Sequence, residues 1–420
     1  MTPSPKGLIG FGVGVGLAGA ATAAGLVADR MHRRRAEALE TGESLVAVPS
    51  RELVVVAGDG VPLHVEVDEP VEDSERTVTS GDATVPKATV VLTHGYCLSS
   101  ACWVFQRRAL TRAGHRVVVW DQRGHGRSEK GDAASYTIDQ LGDDLHRVLE
   151  QVVPEGPLLL VGHSMGGMTM LALAEQHPGV VKERVGAAAF VATSAGGQPL
   201  AAGDVAASIG RVLIERLGPA TAGVFADRPE LLKTVLRANK DLAEHLVERY
   251  SFASPVPRSV VRLAASMLLG TDLRVVSGFS PAFATYDKIR ALEAYRGADV
   301  LVFNGEDDVL TPPAHSEAIV QVVPGAEHLV LRDAGHVIML EHPDVLSDHL
   351  VDLGERTARA AAEGLAAQDK PRTRQVLTNV AKQQIIERAR ERRRAQRRDR
   401  IPVPRRGRAV RRPTEEADGA

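Results

Sequence analysis

Gly162-His163-Ser164-Met165-Gly166 directly follows the apolar run 158–161 and directly precedes a helical pattern. A serine at the tip of so short a strand-to-helix turn is presented as a nucleophile. The turn leaves no room for side chains on its flanks, which is why both flanking positions are glycine. The helix start adds free backbone N–H groups and the positive end of a dipole. A serine hydroxyl attacks poorly until a base removes its proton. His336, in Ala334-Gly335-His336, comes just after the last strand-like run, where a loop can carry it over Ser164. His163 adjoins the nucleophile and its side chain is expected to point elsewhere. His328, His342 and His349 lack a strand-end loop. The imidazole in turn needs a carboxylate to hold one tautomer. The run 300–303 ends in Asn304-Gly305-Glu306-Asp307-Asp308, and Asp308, just ahead of Leu310-Thr311-Pro312-Pro313, is the expected acid, with Asp307 its rival.

Attack by such a serine on an acyl group creates an oxyanion, which needs donors arranged in advance, each worth about 3 kcal/mol in the transition state. The Met165 N–H, next after the nucleophile, is one. The Tyr96 N–H, in the His94-Gly95-Tyr96 loop after the run 89–92, is the other. Trp103 and Phe105 either line an acyl pocket or pack the core. The segment 121–128 (Asp-Gln-Arg-Gly-His-Gly-Arg-Ser) reads as a tight glycine turn whose polar side chains satisfy nearby backbone. The two cysteines, Cys97 and Cys102, are too few for a disulfide framework and read as free thiols. No metal-ligand spacing is present, so neither a metal nor a cofactor is expected.

These residues need a scaffold. Residues 53–67 read as a β-hairpin around Gly58-Asp59-Gly60, and 69–87 as a polar, mobile loop. Short apolar strands are expected at 89–92, 116–120, 158–161, 187–192, 300–303 and 328–331, with helices between them at 137–153 and 168–177 and a closing helix near 344–353. Apolar strands alternating with helices predict an α/β fold, a mostly parallel sheet covered on both faces. Between 196 and about 290 the pattern turns helical, at 213–217, 230–250 and 260–269, as a cap over the site would.

The segments around His94-Gly95, 121–128, 162–166, Asp308 and His336 stand in the order and spacing of the α/β-hydrolase superfamily. They resemble most its lipase, esterase and cofactor-free haloperoxidase branch, over roughly residues 50–350. The resemblance implies an eight-stranded sheet with helices on both faces and a helical cap after the sixth strand. Its epoxide hydrolase and haloalkane dehalogenase branch carries an aspartate where this chain has Ser164.

The remainder of the 420 residues lies outside that resemblance. Hydrophobic residues make up 44% and charged residues 25%, ordinary for a globular protein, and the net charge of -2 hides a strongly basic C-terminal segment. Residues 7–28 form an uncharged run of small and aliphatic residues, about 33 Å long as a helix. With Arg30, His32 and Arg33 to Arg35 behind it, the run reads as a transmembrane anchor with the chain beyond it on the cytoplasmic side. Three divisions are expected: the anchor at 7–28, a hydrolase domain at 45–355 and an arginine-rich tail at 366–412. The tail reads as a helix over 374–400, with Leu377, Ala381, Ile385 and Ala389 on one face, facing anionic lipid or nucleic acid. The expected activity is serine-dependent cleavage of a carboxylic ester, including lipid-like acyl esters and thioesters, with a small acyl substrate as partner. Acyl transfer, perhydrolysis and carbon–carbon hydrolysis use the same triad, and a non-enzymatic anchored interaction protein is the alternative of another class.

Overall fold

The computed structural model describes residues 37, 39–40, 42–72, 74–80, 83–196, 240–363 and 373–399. The expected anchor at 7–28 and the first cap helix at 213–217 lie outside the described residues. Among the described residues no helix is long and apolar enough to cross a membrane.

Nine strands form one sheet. In chain order they are β1 (Arg51–Val56), β2 (Pro62–Asp68), β5 (Thr89–Thr93), β6 (Val117–Trp120), β7 (Leu158–His163), β8 (Val185–Val191), β9 (Asp299–Gly305), β10 (Glu327–Leu331) and β11 (Thr373–Leu377). The spatial order is β1-β2-β6-β5-β7-β8-β9-β10-β11. The β1–β2 hairpin is antiparallel within itself and to β6; every pairing from β6 to β11 is parallel. The six strands expected after residue 88 are all present. Two elements differ from expectation. The polar stretch after Glu69 contains a small two-stranded hairpin, β3 (Thr77–Ser80) and β4 (Ala83–Pro86). The sheet also has nine strands rather than eight, because β11 adds itself along β10 with Glu327 opposite Thr373 and Leu331 opposite Leu377. Residues 374–377, expected to begin a helix, are this strand; an open sheet edge and the β-branched Thr373 and Val376 outweigh the helical arginine pattern that follows.

The central strands are buried from end to end, and their side chains alternate between two apolar layers. Val90, Leu92, Leu159, Val161, Ala187 and Ala189 face one layer, where α1 (Val104–Arg112) packs and where Leu346 and Leu350 come from α10 (Pro343–Glu363). Val91, Leu158, Leu160, Ala188 and Phe190 face the other, with α2 (Ile138–Val152), α3 (Met165–Gln176) and, beyond α4 (Pro178–Arg184), α8 (Pro313–Val322). Helix α2 starts where the Thr137 side chain accepts a hydrogen bond from the Gln140 N–H, at 3.1 Å, one of the donors a helix start leaves free.

The described part of the cap contains α5 (Lys240–Ser251), α6 (Arg258–Gly270) and α7 (Leu273–Ala284). Helix α5 covers the described part of the expected 230–250, whose residues 230–239 lie outside the described residues, α6 covers the expected 260–269, and α7 was not foreseen. Its start is fixed by Asp272, whose carboxylate accepts from the Arg274 N–H at 2.8 Å. Val256, Val260, Val261 and Ala264 of the α5–α6 region join the first layer, and Val275, Phe279 and Phe283 of α7 pack on Tyr136, Met165 and Met168. By itself, the segment after Asn379 carries α11 (Val380–Asp399), within the predicted tail helix; of its expected apolar face, Ala381 and Ile385 are exposed.

Candidate active site

Ser164 sits between β7 and α3 with φ 51° and ψ −117°. A non-glycine residue held at such angles costs on the order of 1–3 kcal/mol and persists only where its surroundings fix it. They do so here. A Cβ on Gly162 would lie 2.5 Å from the Gly167 nitrogen, and one on Gly166 would lie 2.2 Å from the Thr93 carbonyl oxygen, so the turn is pressed against the end of β5. The Ser164 N–H donates to the Val191 carbonyl at 3.0 Å, and its own carbonyl accepts from the Thr193 hydroxyl at 2.6 Å.

Asp308 and His336 come together from the loops after β9 and β10. His336 Nδ1 lies 2.8 Å from Asp308 Oδ2. Oδ2 also accepts from the Thr311 hydroxyl at 2.8 Å, while Oδ1 accepts from the Leu310 and Thr311 N–H groups at 2.8 and 3.0 Å. A carboxylate only accepts, so the proton of the short contact belongs to His336 Nδ1, and in the neutral ring Nε2 is the atom that carries the lone pair. Burial disfavours the charge on Asp308, yet His336 and the Thr311 donors outweigh it and hold the carboxyl below the usual carboxylate range. Asp307, the rival, is exposed, and its N–H is spent on the Ala334 carbonyl.

His163 does not turn away from the site. Its Nε2–H donates to the His336 carbonyl at 2.9 Å, with the two rings 4.7 Å apart. Burial, reinforced by the neighbouring His336, pushes its pKa down to about 3, which keeps it neutral. A Cβ on Gly95 would lie 2.5 Å from His163 Nδ1 and 3.2 Å from Ser164 Cβ. The loops carrying Gly95, Ser164 and His336 thus meet at one place. Among the described residues no hydrogen bond joins Ser164 Oγ to His336 in this structure.

Tyr96 and Met165 directly follow Gly95 and Ser164 in the chain, and the backbone N–H of neither donates in any described loop or turn bond. Met165 opens α3, where N–H groups have no partner within the helix. The loop before Tyr96 is braced by residues that sequence reasoning did not single out for this role. His94 Nε2 accepts from the Gln122 N–H at 2.9 Å, the Gln122 amide donates to the His94 carbonyl at 2.6 Å, and the Thr169 hydroxyl donates to Gln122 Oε1 at 2.6 Å. Burial lowers the His94 pKa to about 4, so it acts as a neutral brace. The Tyr96 side chain reaches the cap: its hydroxyl donates to the Val276 carbonyl in α7, and its ring meets Phe283 edge-on at 5.1 Å.

The turn 121–128 is the structural brace expected of it. Asp121 accepts from the Ser100 and Arg127 N–H groups at 2.7 and 2.9 Å, and a Cβ on Gly126 would lie 2.3 Å from that carboxylate. Arg123 is fully buried between Asp144 and Asp59, at 2.6 and 2.7 Å. Trp103 is fully enclosed in the first apolar layer and Phe105 packs against the same cluster, which is the core placement of the two open to them. Cys97 and Cys102 are free and buried. Among the described residues no group of three or more His, Cys, Asp or Glu side chains could hold a metal ion.

Comparison with known proteins agrees with this architecture. Residues 88–343 match a family model described as the alpha/beta hydrolase fold. The chain is 29% identical over 307 residues to RutD of Variovorax paradoxus (strain S110), provisionally named a carbamate hydrolase; the match covers 73% of this chain and all of that one. It is 28% identical over 269 residues to the sn-1-specific diacylglycerol lipase ABHD11 of Mus musculus, covering 64% of this chain and 80% of that one. Among solved structures, an esterase from Exiguobacterium antarcticum superposes with a TM-score of 0.54 at 20% identity, covering 73% of this chain and 100% of that one. With the matched segment spanning the sheet from β5 to β10, the elbow at Ser164 and the loops of Asp308 and His336, this chain belongs to the α/β-hydrolase-fold family.

Proposed function

We propose that the protein is a serine hydrolase that cleaves carboxylic esters through Ser164, His336 and Asp308. The observation that carries this is the buried Asp308–His336 pair, oriented at 2.8 Å, on loops that meet the strained Ser164 turn. His336 Nε2 takes the hydroxyl proton as Ser164 Oγ attacks the carbonyl carbon. The carbonyl electrons move onto oxygen, where the Tyr96 and Met165 N–H groups receive them. Collapse expels the alcohol, which leaves with the proton from His336. Water, deprotonated by the same imidazole, then frees the acid and restores Ser164. Met165, Met168, Phe279 and Phe283 pack together beside the Tyr96 loop, and this apolar wall favours a lipid-like acyl group. Carbamate and thioester carbonyls have the same geometry at carbon and are tested alongside.

A fluorophosphonate probe reports an activated serine. Mass spectrometry of the treated protein is expected to place one adduct on Ser164, absent in Ser164→Ala, and p-nitrophenyl esters of graded chain length then define the acyl preference. A well-folded protein that gains no adduct sinks the reading.

A further inference from the structure

His336 rides on a loop, and something must fix that loop if the imidazole is to face Ser164. Glu341, at the end of the short helix α9 (Ile338–Glu341), is 2% exposed and lies five residues beyond His336. One oxygen of its carboxylate, Oε2, accepts at 2.6 Å from the backbone N–H of Gly335, the residue immediately before His336. The other, Oε1, faces the cap connector between α5 and α6, accepting from the Ala253 N–H at 2.9 Å, the Ser254 N–H at 2.5 Å and the Ser254 hydroxyl at 2.7 Å. On the far side of His336 the Val337 N–H donates to the Ser251 carbonyl at 3.1 Å. Contact is close throughout: a Cβ on Gly335 would lie 2.8 Å from the Ser251 oxygen and 3.0 Å from the Ala253 nitrogen.

We propose that Glu341 is a positioning residue for the reaction. It bolts the backbone beside His336 to the cap connector and thereby sets where Nε2 stands relative to Ser164. The inference rests on the triad reading above. A buried carboxylate is expensive and survives only with its oxygens satisfied by donors. Here those donors come from two separate parts of the molecule, so one charged group holds both. A neutral amide cannot repeat this, because it has one accepting oxygen. In Glu341→Gln that oxygen goes to the side with three donors, and an NH2 group is left facing the Gly335 N–H. The substitution therefore keeps the cap side and breaks the histidine side.

The experiment compares steady-state hydrolysis of a p-nitrophenyl ester by wild type, Glu341→Gln, Glu341→Asp and Ser254→Ala, with thermal melts and near-ultraviolet circular dichroism to establish folding. Glu341→Gln is expected to lower kcat about 100-fold with KM held, the scale of a misplacement near 1 Å. Ser254→Ala, which leaves the Gly335 bond in place, loses much less. If the glutamine variant does not fold, Glu341→Asp carries the test. It keeps the charge but shortens the reach, and the same fall in kcat at constant KM is expected. A folded Gln or Asp variant with wild-type kcat overturns the proposal, as does a loss that appears only in KM or only in the folded fraction. Failure of the parent reading looks different: wild type itself then gains no fluorophosphonate adduct at Ser164.

Discussion

At the scale of single residues, two adjacent acids separate structural position from chemistry. Asp307 and Asp308 have the same side chain and leave the same strand, but one is exposed and the other is enclosed against His336 with three further hydrogen bonds from Leu310 and Thr311. In Asp308→Asn the one remaining oxygen is held by the Leu310 and Thr311 N–H groups and an NH2 group faces His336 Nδ1, so the imidazole tautomer is no longer fixed and kcat for ester hydrolysis is expected to fall about 10⁴-fold. Asp307→Asn is expected to keep kcat within a few-fold, since its backbone N–H, not its carboxylate, makes the contact with Ala334. Similar losses from both variants would show that the wrong carboxylate has been assigned. The glycine at 166 gives a second test. A methyl group there would lie 2.2 Å from backbone oxygen, which cannot swing aside as a side chain can, so Gly166→Ala is expected to yield little folded protein on expression. The positions of the proposed triad, Ser164, Asp308 and His336, could be picked out in the sequence because each follows a strand's end, and the fold does pair Asp308 with His336. The contacts of His163, Gln122 and Glu341 could not, since each meets a partner brought close only by the fold, His336, His94 and the cap connector respectively.

At the scale of elements, the parallel strands announced themselves because burial on both faces demands unbroken apolar runs, as in 158–161 and 117–120. Four elements escaped. Strands β3 and β4 are short and polar, so no periodicity betrays them. Strand β11 is exposed along most of its length and owes its form to the neighbouring edge of β10. Helix α7 holds Gly278 and Pro281, both poor helix formers, and is stabilised by packing that sequence does not display: a Cβ on Gly278 would lie 2.4 Å from the Tyr136 ring. That helix matters for the site, because Tyr96 supplies a proposed oxyanion N–H from its backbone while its side chain grips α7 at Val276. Tyr96→Phe leaves the N–H and the ring in place and removes the hydroxyl that makes this tie. It is expected to cost about 1 kcal/mol of stability in a denaturant melt. If the proposed acyl site lies beside the Phe279 and Phe283 cluster, activity should respond more for long acyl esters than for acetate esters. An equal response to both would separate the oxyanion loop from the cap.

At the scale of the whole molecule, the site is built around histidines that burial keeps neutral. His94, His125 and His163 have pKa values pushed down to about 4, 3 and 3, in each case by burial first. The rings of His94 and His125 stand 5.4 Å apart, so protonating one raises the cost of protonating the other. His115, His315 and His328 are shifted in the same direction, again by burial. The unfolded chain takes up a proton on each of these groups near pH 6.5. In the folded chain His94, His125 and His163 take it up only near pH 4 to 3. Stability is therefore complete above about pH 7 and is lost as pH falls from about 6.5 towards 4, by up to about 1.4 kcal/mol per pH unit for each of these three, with His115, His315 and His328 adding in the same direction. The Asp308 carboxylate, held low, adds its own loss only below about pH 4, where the unfolded carboxyl begins to protonate first. Several histidines acting together over two pH units rival the 5–15 kcal/mol that typically holds a domain folded. Melting temperature is thus expected to be flat between pH 8 and 7 and to drop steeply between pH 6 and 4.5, before carboxylates contribute. His125→Asn identifies the cause, because an amide stays neutral throughout and can still donate to the Arg123 carbonyl that His125 Nδ1 meets at 3.0 Å. That variant should show a shallower slope in the same window. A wild-type melting temperature that stays level from pH 7 down to pH 5 would mean the site admits water and protons that a neutral, closed histidine cluster excludes.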